Sequence, residues 1–121
     1  MTLAYSTRTG LGACYYSAAK EFLSSEAGQA LRGTVNLIFT SPPFALNRQK
    51  PYRNELGDKY KAWLSGFAPL FKDLLAPQGS IVLELGNAWE PGKPVMSTLP
   101  LEGLLPLLQA EARLAYSFDQ V

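Results

Sequence analysis

The segment Thr40-Ser41-Pro42-Pro43-Phe44 contains the residue types in this chain that are best suited to chemistry. It directly follows the run Val35-Asn36-Leu37-Ile38-Phe39, whose β-branched and aromatic residues predict a buried β-strand. Two consecutive prolines remove two backbone donors and fix two φ angles, so the strand must end there. The turn then presents a hydroxyl, several carbonyl groups and an aromatic ring. Such a set can hold a planar amine, because the oxygens accept its two protons and the ring stacks on its face.

Glu84 is the second candidate for chemistry, at the end of a predicted buried strand over Ser80–Leu85. A carboxylate beside the Ser41 turn could accept a hydrogen bond from Ser41 or from an exocyclic amine, which would raise the electron density on a poor nucleophile. The alternative is a structural acid satisfied by backbone donors of the following loop. Phe44 has a similar alternative, that of a core aromatic residue beneath its loop. The residues alone leave these alternatives open.

The pattern of elements around these residues predicts an α/β fold. A polar, irregular stretch over 1–13 precedes a short strand at Cys14-Tyr15-Tyr16, and Ser17 is expected to cap a helix with an apolar face from Ala18 to Ala27. After the strand at 35–39 and a loop over 45–57, Asp58 opens a helix with one apolar stripe from Tyr60 to Leu74, interrupted mildly by Pro69. A tight turn at Pro77-Gln78-Gly79, the strand at 80–85, a helix over 98–112 that Pro106 should kink or split, and a strand at 113–118 complete the chain. Alternating strands and helices predict a parallel sheet, whose ligands collect at the carboxyl ends of the strands, beside Ser41 and Glu84.

The stretch from Asn36 to Gly92 resembles the amino-group DNA methyltransferases, whose catalytic motif is Asp/Asn/Ser-Pro-Pro-Tyr/Phe. The serine variant is similar to the cytosine-N4 branch, and Thr-Ser-Pro-Pro-Phe-Ala-Leu followed by basic residues resembles the PvuII type of restriction-modification enzymes. The resemblance continues through three further segments: Tyr60-Lys61-Ala62-Trp63-Leu64, Leu75-Ala76-Pro77-Gln78-Gly79-Ser80 and Val82-Leu83-Glu84-Leu85-Gly86.

The resemblance implies a fold, a reaction and a set of site residues. The fold would be half of a doubly wound, Rossmann-like parallel sheet of the S-adenosylmethionine-dependent methyltransferases. The reaction would be methyl transfer from S-adenosylmethionine to the N4 amine of a flipped cytosine in double-stranded DNA. The implied catalytic residues are Ser41, Pro42, Pro43, Phe44 and Glu84, and Thr40 and Ser41 would also contact the cofactor. Relatives typically have Asp where this chain has Glu84.

Positive charge is concentrated beside the Ser-Pro-Pro turn. The chain has a formal net charge of only +1, with 11 basic and 10 acidic residues. Residues 47–61 contain five basic residues and two acidic ones, so this stretch has a charge of +3 and the rest of the chain −2. The basic residues are Arg48, Lys50, Arg53, Lys59 and Lys61. A solvated loop is the ordinary explanation of such a cluster, but beside a base-holding turn we expect phosphate contacts, with Arg48, Lys50 and Arg53 as the DNA-binding residues.

Composition limits the other classes of function. The chain has 121 residues, of which 47% are hydrophobic, and a mean hydropathy of −0.01, which predicts a single domain over residues 1–121 with a modest core. It has one cysteine and no histidine, which excludes disulfides within the chain, the usual zinc sites and nucleophiles activated by histidine. No stretch is apolar enough for a membrane span and Met1-Thr2-Leu3 does not resemble a signal peptide, so a cytoplasmic location is expected.

The chain also departs from the family that it resembles. The Phe-x-Gly-x-Gly cofactor fingerprint is absent, Gly86 is followed by Asn87-Ala88 rather than a second glycine, and Tyr16-Ser17-Ala18 stands where relatives have Gly-Asp-Ser. The target-recognition region is also absent. A split subunit, a truncated product or a degenerate relative would each explain these departures. We expect association with a second chain carrying the Phe-x-Gly-x-Gly half, or with a copy of itself, because half a parallel sheet exposes an edge and a face. Other hypotheses are a noncatalytic DNA-binding or assembly module and an adenine-N6 or small-molecule methyltransferase.

Overall fold

A computed structural model describes residues 1–43, 57–86, 92 and 94–109. The predicted site residues Phe44, Arg48, Lys50 and Arg53 lie outside the described residues, as do nearly all of the predicted loop at 45–57 and the whole strand at 113–118. The chain forms two compact units, Met1–Arg32 and Gly33–Val121. A single domain over the whole chain therefore stays a prediction, and each unit is described by itself.

The first unit begins with an antiparallel hairpin. Strand β1 (Thr2–Ser6) pairs with strand β2 (Ala13–Tyr16). At the turn, the Thr7 amide donates to the Gly12 carbonyl at 2.8 Å and the Gly10 amide donates to the Thr7 carbonyl at 3.0 Å. Gly10 has a φ of 68°, a conformation that glycine adopts without steric cost. The prediction of a strand at 14–16 is confirmed, but that of an irregular stretch over 1–13 is wrong, because the two glycines close a hairpin.

Two short helices follow, α1 (Ala19–Ser24) and α2 (Glu26–Gln29), where the sequence predicted one. The predicted cap at Ser17 is wrong: Ala18 is the N-cap of α1, and the Ser17 hydroxyl donates to the Ala18 carbonyl at 3.0 Å. Ser25 separates the helices because its backbone is extended, and its hydroxyl accepts a hydrogen bond from the Gly28 amide at 3.3 Å. A serine in that position is a favourable N-cap, so a second helix starts there.

The second unit contains the parallel sheet. Its described elements are β3 (Val35–Thr40), α3 (Gly57–Ser65), α4 (Ala68–Leu74), β4 (Leu75–Leu83) and α5 (Leu99–Gln109). Strands β3 and β4 pair in parallel, with α3 and α4 between them in the sequence. The predicted α/β class is confirmed, and the unit is consistent with half of a Rossmann-like fold.

The predicted helix from Asp58 to Leu74 is two helices. Gly66 and Phe67 separate them, and Pro69 lies in the first turn of α4, where a missing amide leaves no intrahelical bond unmade. The apolar stripe itself is confirmed, because its core members are buried: Tyr60, Leu64, Phe67, Phe71 and Leu74. The proline therefore marks a helix start rather than a mild interruption.

Strand β4 is longer than predicted at its start and shorter at its end. Between the pairs Val35↔Leu75 and Leu37↔Ser80 the chain advances two residues on β3 and five on β4, so β4 holds three extra residues. The predicted tight turn at Pro77-Gln78-Gly79 is instead this bulge within the strand. Gly79 fits it because a Cβ there would lie 2.7 Å from the Val35 carbonyl oxygen. The strand ends at Leu83, so Glu84 directly follows it.

Helix α5 packs on α3 at Gly103. A Cβ at this position would lie 2.7 Å from Leu64 Cδ2 and 3.6 Å from Tyr60 Cε1. The missing side chain thus lets the two helices approach closely. Pro106 lies inside α5, which continues as one helix to Gln109, so this proline does not split the helix, and a kink there stays a prediction. In the described part of the chain, no helix is both long and apolar enough to cross a membrane.

Candidate active site

The carboxyl ends of β3 and β4 lie side by side. Thr40 and Leu83 are register partners, and the Glu84 amide donates to the Thr40 carbonyl at 3.0 Å. The residues that directly follow these partners, Ser41 and Glu84, are therefore neighbours at one edge of the sheet. We call the set Thr40, Ser41, Pro42, Pro43 and Glu84 the strand-end site. Open parallel sheets bind their ligands at this edge.

The polar side chains of the strand-end site are accessible. Ser41, Pro43 and Glu84 are exposed, whereas Thr40 and Pro42 are half-buried. Ser41 and Glu84 make no side-chain hydrogen bond to each other, and the Glu84 carboxylate accepts none from the residues that the structure describes. The Ser41 hydroxyl and the Glu84 carboxylate therefore keep acceptor capacity for a third group. The structural role for Glu84 stays open, because most of the following loop whose backbone donors would satisfy it lies outside the described residues.

Backbone and core contacts hold Glu84 from two sides. Its amide is bonded to β3, and the next residue, Leu85, packs against the buried pair Tyr60 and Leu64 of α3. These two side chains are 0% and 1% exposed. Because the Glu84 amide is bonded to β3 and the next residue is packed in the core, the backbone of Glu84 has little freedom. A preorganised polar group requires a backbone that is fixed in this way.

Tyr60 packs against Leu85, the residue after Glu84. The sequence predicted only an apolar role for this tyrosine. Its hydroxyl is buried and has no hydrogen-bond partner among the described residues. Burial raises the pKa of this hydroxyl above its ordinary value, because the charged phenolate would lose its hydration. The only signal in the sequence was a tyrosine in an otherwise apolar stripe.

The basic cluster is only partly described. Lys61 Nζ lies 2.9 Å from Asp58 Oδ1 and 3.7 Å from Glu102 Oε2. The hydrogen bond and the charge of Asp58, with the charge of Glu102, raise the pKa of Lys61. Lys61 therefore neutralises two acids of its own chain and is a poor candidate for contacting phosphate. Lys59 is exposed, and the three residues predicted to bind DNA lie outside the described part.

The sequence after the strand-end site departs from the glycine-rich pattern that binds S-adenosylmethionine. Gly86 is followed in the sequence by Asn87-Ala88 instead of the second glycine that would let a ligand approach the backbone. Within ranges 1–43, 57–86 and 94–109 there is also no group of three or more potential metal ligands.

Comparison with known proteins finds two matches of one kind. The chain is 33% identical over 100 residues to the type II methyltransferase M.PvuII of Proteus hauseri. This match covers 83% of this chain and 29% of that protein. The solved structure of the cytosine-N4-specific PvuII DNA methyltransferase matches with a TM-score of 0.52 and 35% identity, over 64% of this chain and 28% of the other. No family model matches the chain.

The chain thus spans less than a third of the length of the relatives that it matches. Partial coverage is consistent with the predicted fragment or subunit. The sequence match and the structural match agree with each other, because both are to PvuII methyltransferases. Over the matched residues, this chain is homologous to the PvuII-type cytosine-N4 DNA methyltransferases.

Proposed function

We propose that this chain is the amine-binding, catalytic part of a cytosine-N4 DNA methyltransferase from a restriction-modification system. The observation that carries the proposal is the adjacency of Ser41 and Glu84 at the ends of two parallel strands, with Ser41 opening the segment Ser41-Pro42-Pro43. The substrate would be double-stranded DNA, so we expect the chain to act in the cytoplasm.

The amine is held by oxygen atoms of the strand-end site. The Ser41 hydroxyl and the Pro42 carbonyl accept its two protons and orient the nitrogen lone pair, while Pro43 keeps the turn rigid. The Glu84 carboxylate raises the electron density of this network as positive charge develops on the nitrogen. Phe44 stacks on the base, which must leave the duplex because its amine is otherwise enclosed in the base stack.

S-adenosylmethionine supplies the methyl group when it is bound, but Thr40 and Ser41 are the only cofactor contacts that this chain is proposed to make. The rest of that pocket comes from a second chain that carries the Phe-x-Gly-x-Gly half, or from another part of a longer polypeptide. A homo-oligomer is the weaker alternative because a copy of this sequence brings no fingerprint.

Two measurements test the proposal. Calorimetric titration of the 121-residue chain with S-adenosylmethionine is expected to show weak binding or none. A micromolar isotherm with unit stoichiometry would contradict the proposal that part of the cofactor pocket comes from another polypeptide. Radiolabelled methyl transfer to DNA is expected only when a fingerprint-bearing chain is added, with N4-methylcytosine as the product identified by mass spectrometry. Methylation of adenine would replace the cytosine assignment.

The absent fingerprint favours a second candidate function, a noncatalytic DNA-binding or assembly module. The same mixture distinguishes it. DNA binding without methyl transfer, in a complex whose other chain binds S-adenosylmethionine, would support this module and reject the catalytic proposal. Transfer to small molecules but not DNA would indicate a different substrate class.

A further inference from the structure

The two faces of the β3–β4 sheet differ in exposure. On one face, Ile81 is 1% exposed and its partner Ile38 is half-buried. On the other, Leu37 is 56%, Phe39 is 70% and Val82 is 38% exposed. Phe39 and Val82 are register partners, and Leu37 lies two residues before Phe39, so these three side chains share one face. We call them the Leu37-Phe39-Val82 face.

This exposure is unusual for the sheet type. Parallel sheets are covered on both faces, usually by helices, whereas antiparallel sheets commonly leave one face to water and place polar residues there. Here the exposed face has large apolar side chains at three positions, beside Ser80 at a fourth. In the described part of the chain, β3 also pairs on one side only, with β4. An exposed apolar face and an unpaired strand edge therefore occur on the same strand, a combination typical of a buried interface.

We propose that the Leu37-Phe39-Val82 face is the docking surface for the polypeptide that supplies the rest of the methyltransferase fold, through the apolar side of a helix. This inference rests on the proposed function. The size of the relative supports the occupant, because this chain matches only 29% of M.PvuII and a large part of a related protein is available to cover the face. A second copy is a poorer occupant, because it would bring the same catalytic half again and no Phe-x-Gly-x-Gly half.

The position of the face connects docking to the chemistry. Phe39 and Val82 immediately precede Thr40 and Leu83, the register partners at the end of the sheet. A helix seated on Phe39 and Val82 therefore lies within about one residue, ~3.3 Å along the strand, of the strand-end site. Docking on this face would bring the missing cofactor residues beside Ser41 and Glu84.

Coexpression of the tagged 121-residue chain with the part of M.PvuII outside the matched 100 residues tests the proposal. We expect a one-to-one complex by affinity purification and light scattering. Phe39→Asp should weaken the complex at least tenfold, because a carboxylate would be buried in an apolar contact. Leu105→Asp is the matched control, since Leu105 is 53% exposed on α5, and should leave the complex intact. Phe39→Thr keeps a strand-forming residue and should also weaken the complex, which covers a folding defect in the aspartate variant.

Each outcome decides the proposal. Equal complex formation by the parent, Phe39→Asp and Phe39→Thr chains would overturn the surface, as would the absence of any complex with the parent chain. A homodimer that Phe39→Asp dissociates would replace the occupant by a second copy. Methyl transfer separates this inference from the proposed function: a Phe39-dependent complex without transfer keeps the surface and rejects the activity, whereas transfer unaffected by both Phe39 variants rejects the surface alone.

Discussion

The Glu84 amide donates a hydrogen bond of 3.0 Å to the carbonyl oxygen of Thr40. This bond extends the parallel pairing one residue beyond Leu83, the last residue of β4. It fixes the backbone of Glu84 beside Thr40, the residue that precedes Ser41. The side chains of Ser41 and Glu84 stay exposed. The strand-end site is therefore ordered by backbone bonding that does not use its chemical groups, which leaves those groups for a substrate.

Ser41→Ala should reduce methyl transfer in the reconstituted enzyme by about 10²–10³, because losing one preorganised group where charge develops has an effect of that size. The thermal midpoint should not change, since Ser41 is exposed and its side chain has no described hydrogen bond. Ser6→Ala, at an exposed position of β1, is the control and should keep full activity. Transfer within twofold of the parent would reject Ser41 as an orienting group.

Glu84→Gln should lower kcat with little effect on stability. The substitution keeps the shape of an exposed side chain but removes the charge that is proposed to raise the electron density of the amine. Urea unfolding and single-turnover transfer are the measurements. A loss of stability with normal transfer would instead support the structural role for this acid. Glu84→Asp should retain more activity than Glu84→Gln, because a carboxylate is preserved.

Tyr60→Phe should leave the free energy of unfolding at neutral pH within about 1 kcal/mol of the parent, because it removes a buried hydroxyl with no described partner. A loss of more than about 2 kcal/mol would show that the hydroxyl has a partner outside the described residues.

The same variant should change the response to alkaline pH. Burial raises the pKa of Tyr60, so above about pH 10 the unfolded chain releases this proton before the folded chain does, and stability falls as pH rises. The raised pKa of Lys61 acts in the same direction, so Tyr60→Phe should reduce the alkaline loss without abolishing it. Tyr16→Phe, at a side chain that is 83% exposed, should keep the parent response. Urea unfolding near neutral pH and above about pH 10 measures both effects.

Gly103→Ala should destabilise the chain by about 1–3 kcal/mol through overpacking between α3 and α5, partly offset by the better helix propensity of alanine. The new Cβ would lie 2.7 Å from Leu64 Cδ2, and Leu64 is 1% exposed and has little room to move. A double-mutant cycle with Leu64→Ala, measured by thermal unfolding, should show that the glycine substitution costs less when this methyl group is absent. Strict additivity would contradict the proposed contact, and Leu101→Ala on the exposed side of α5 should have a small effect.

Neutralising Arg48 and Lys50 together should weaken binding of the reconstituted enzyme to all DNA sequences about equally. The slope of log affinity against log salt should fall by up to roughly two. The reason is that binding releases fewer counterions from the DNA when two phosphate contacts are lost. Lys72→Gln at an exposed position of α4 should leave the slope unchanged. A changed sequence preference with the same slope would make these two residues base readers.

The sequence predicted the parallel pair and the strand-end site because strong local signals mark both. A β-branched run ended by two prolines places Ser41, and the hydrophobic spacing of Tyr60, Leu64 and Phe71 places the buried face of the helices. It failed at a helix cap that a local hydrogen bond decides and at a bulge that a tertiary contact decides. Ser25 rather than Ser17 caps a helix, and the bulge at Pro77-Gln78-Gly79 depends on its pairing with Val35. The unpartnered hydroxyl of Tyr60 could not be predicted, because periodicity indicates burial but not hydrogen bonding.

The three extra residues in β4 have a consequence for variation among relatives. The bulge separates the pairing at Val35↔Leu75 from the pairing that starts at Leu37↔Ser80. A deletion or insertion within residues 76–79 can be absorbed there without reversing which side chains of 80–83 face the core. Natural variants of this unit should therefore differ in length in this segment. Inserting or deleting one residue in the stretch from Ser80 to Glu84 would instead shift the register, turning Ile81 outward or displacing Glu84 from Ser41.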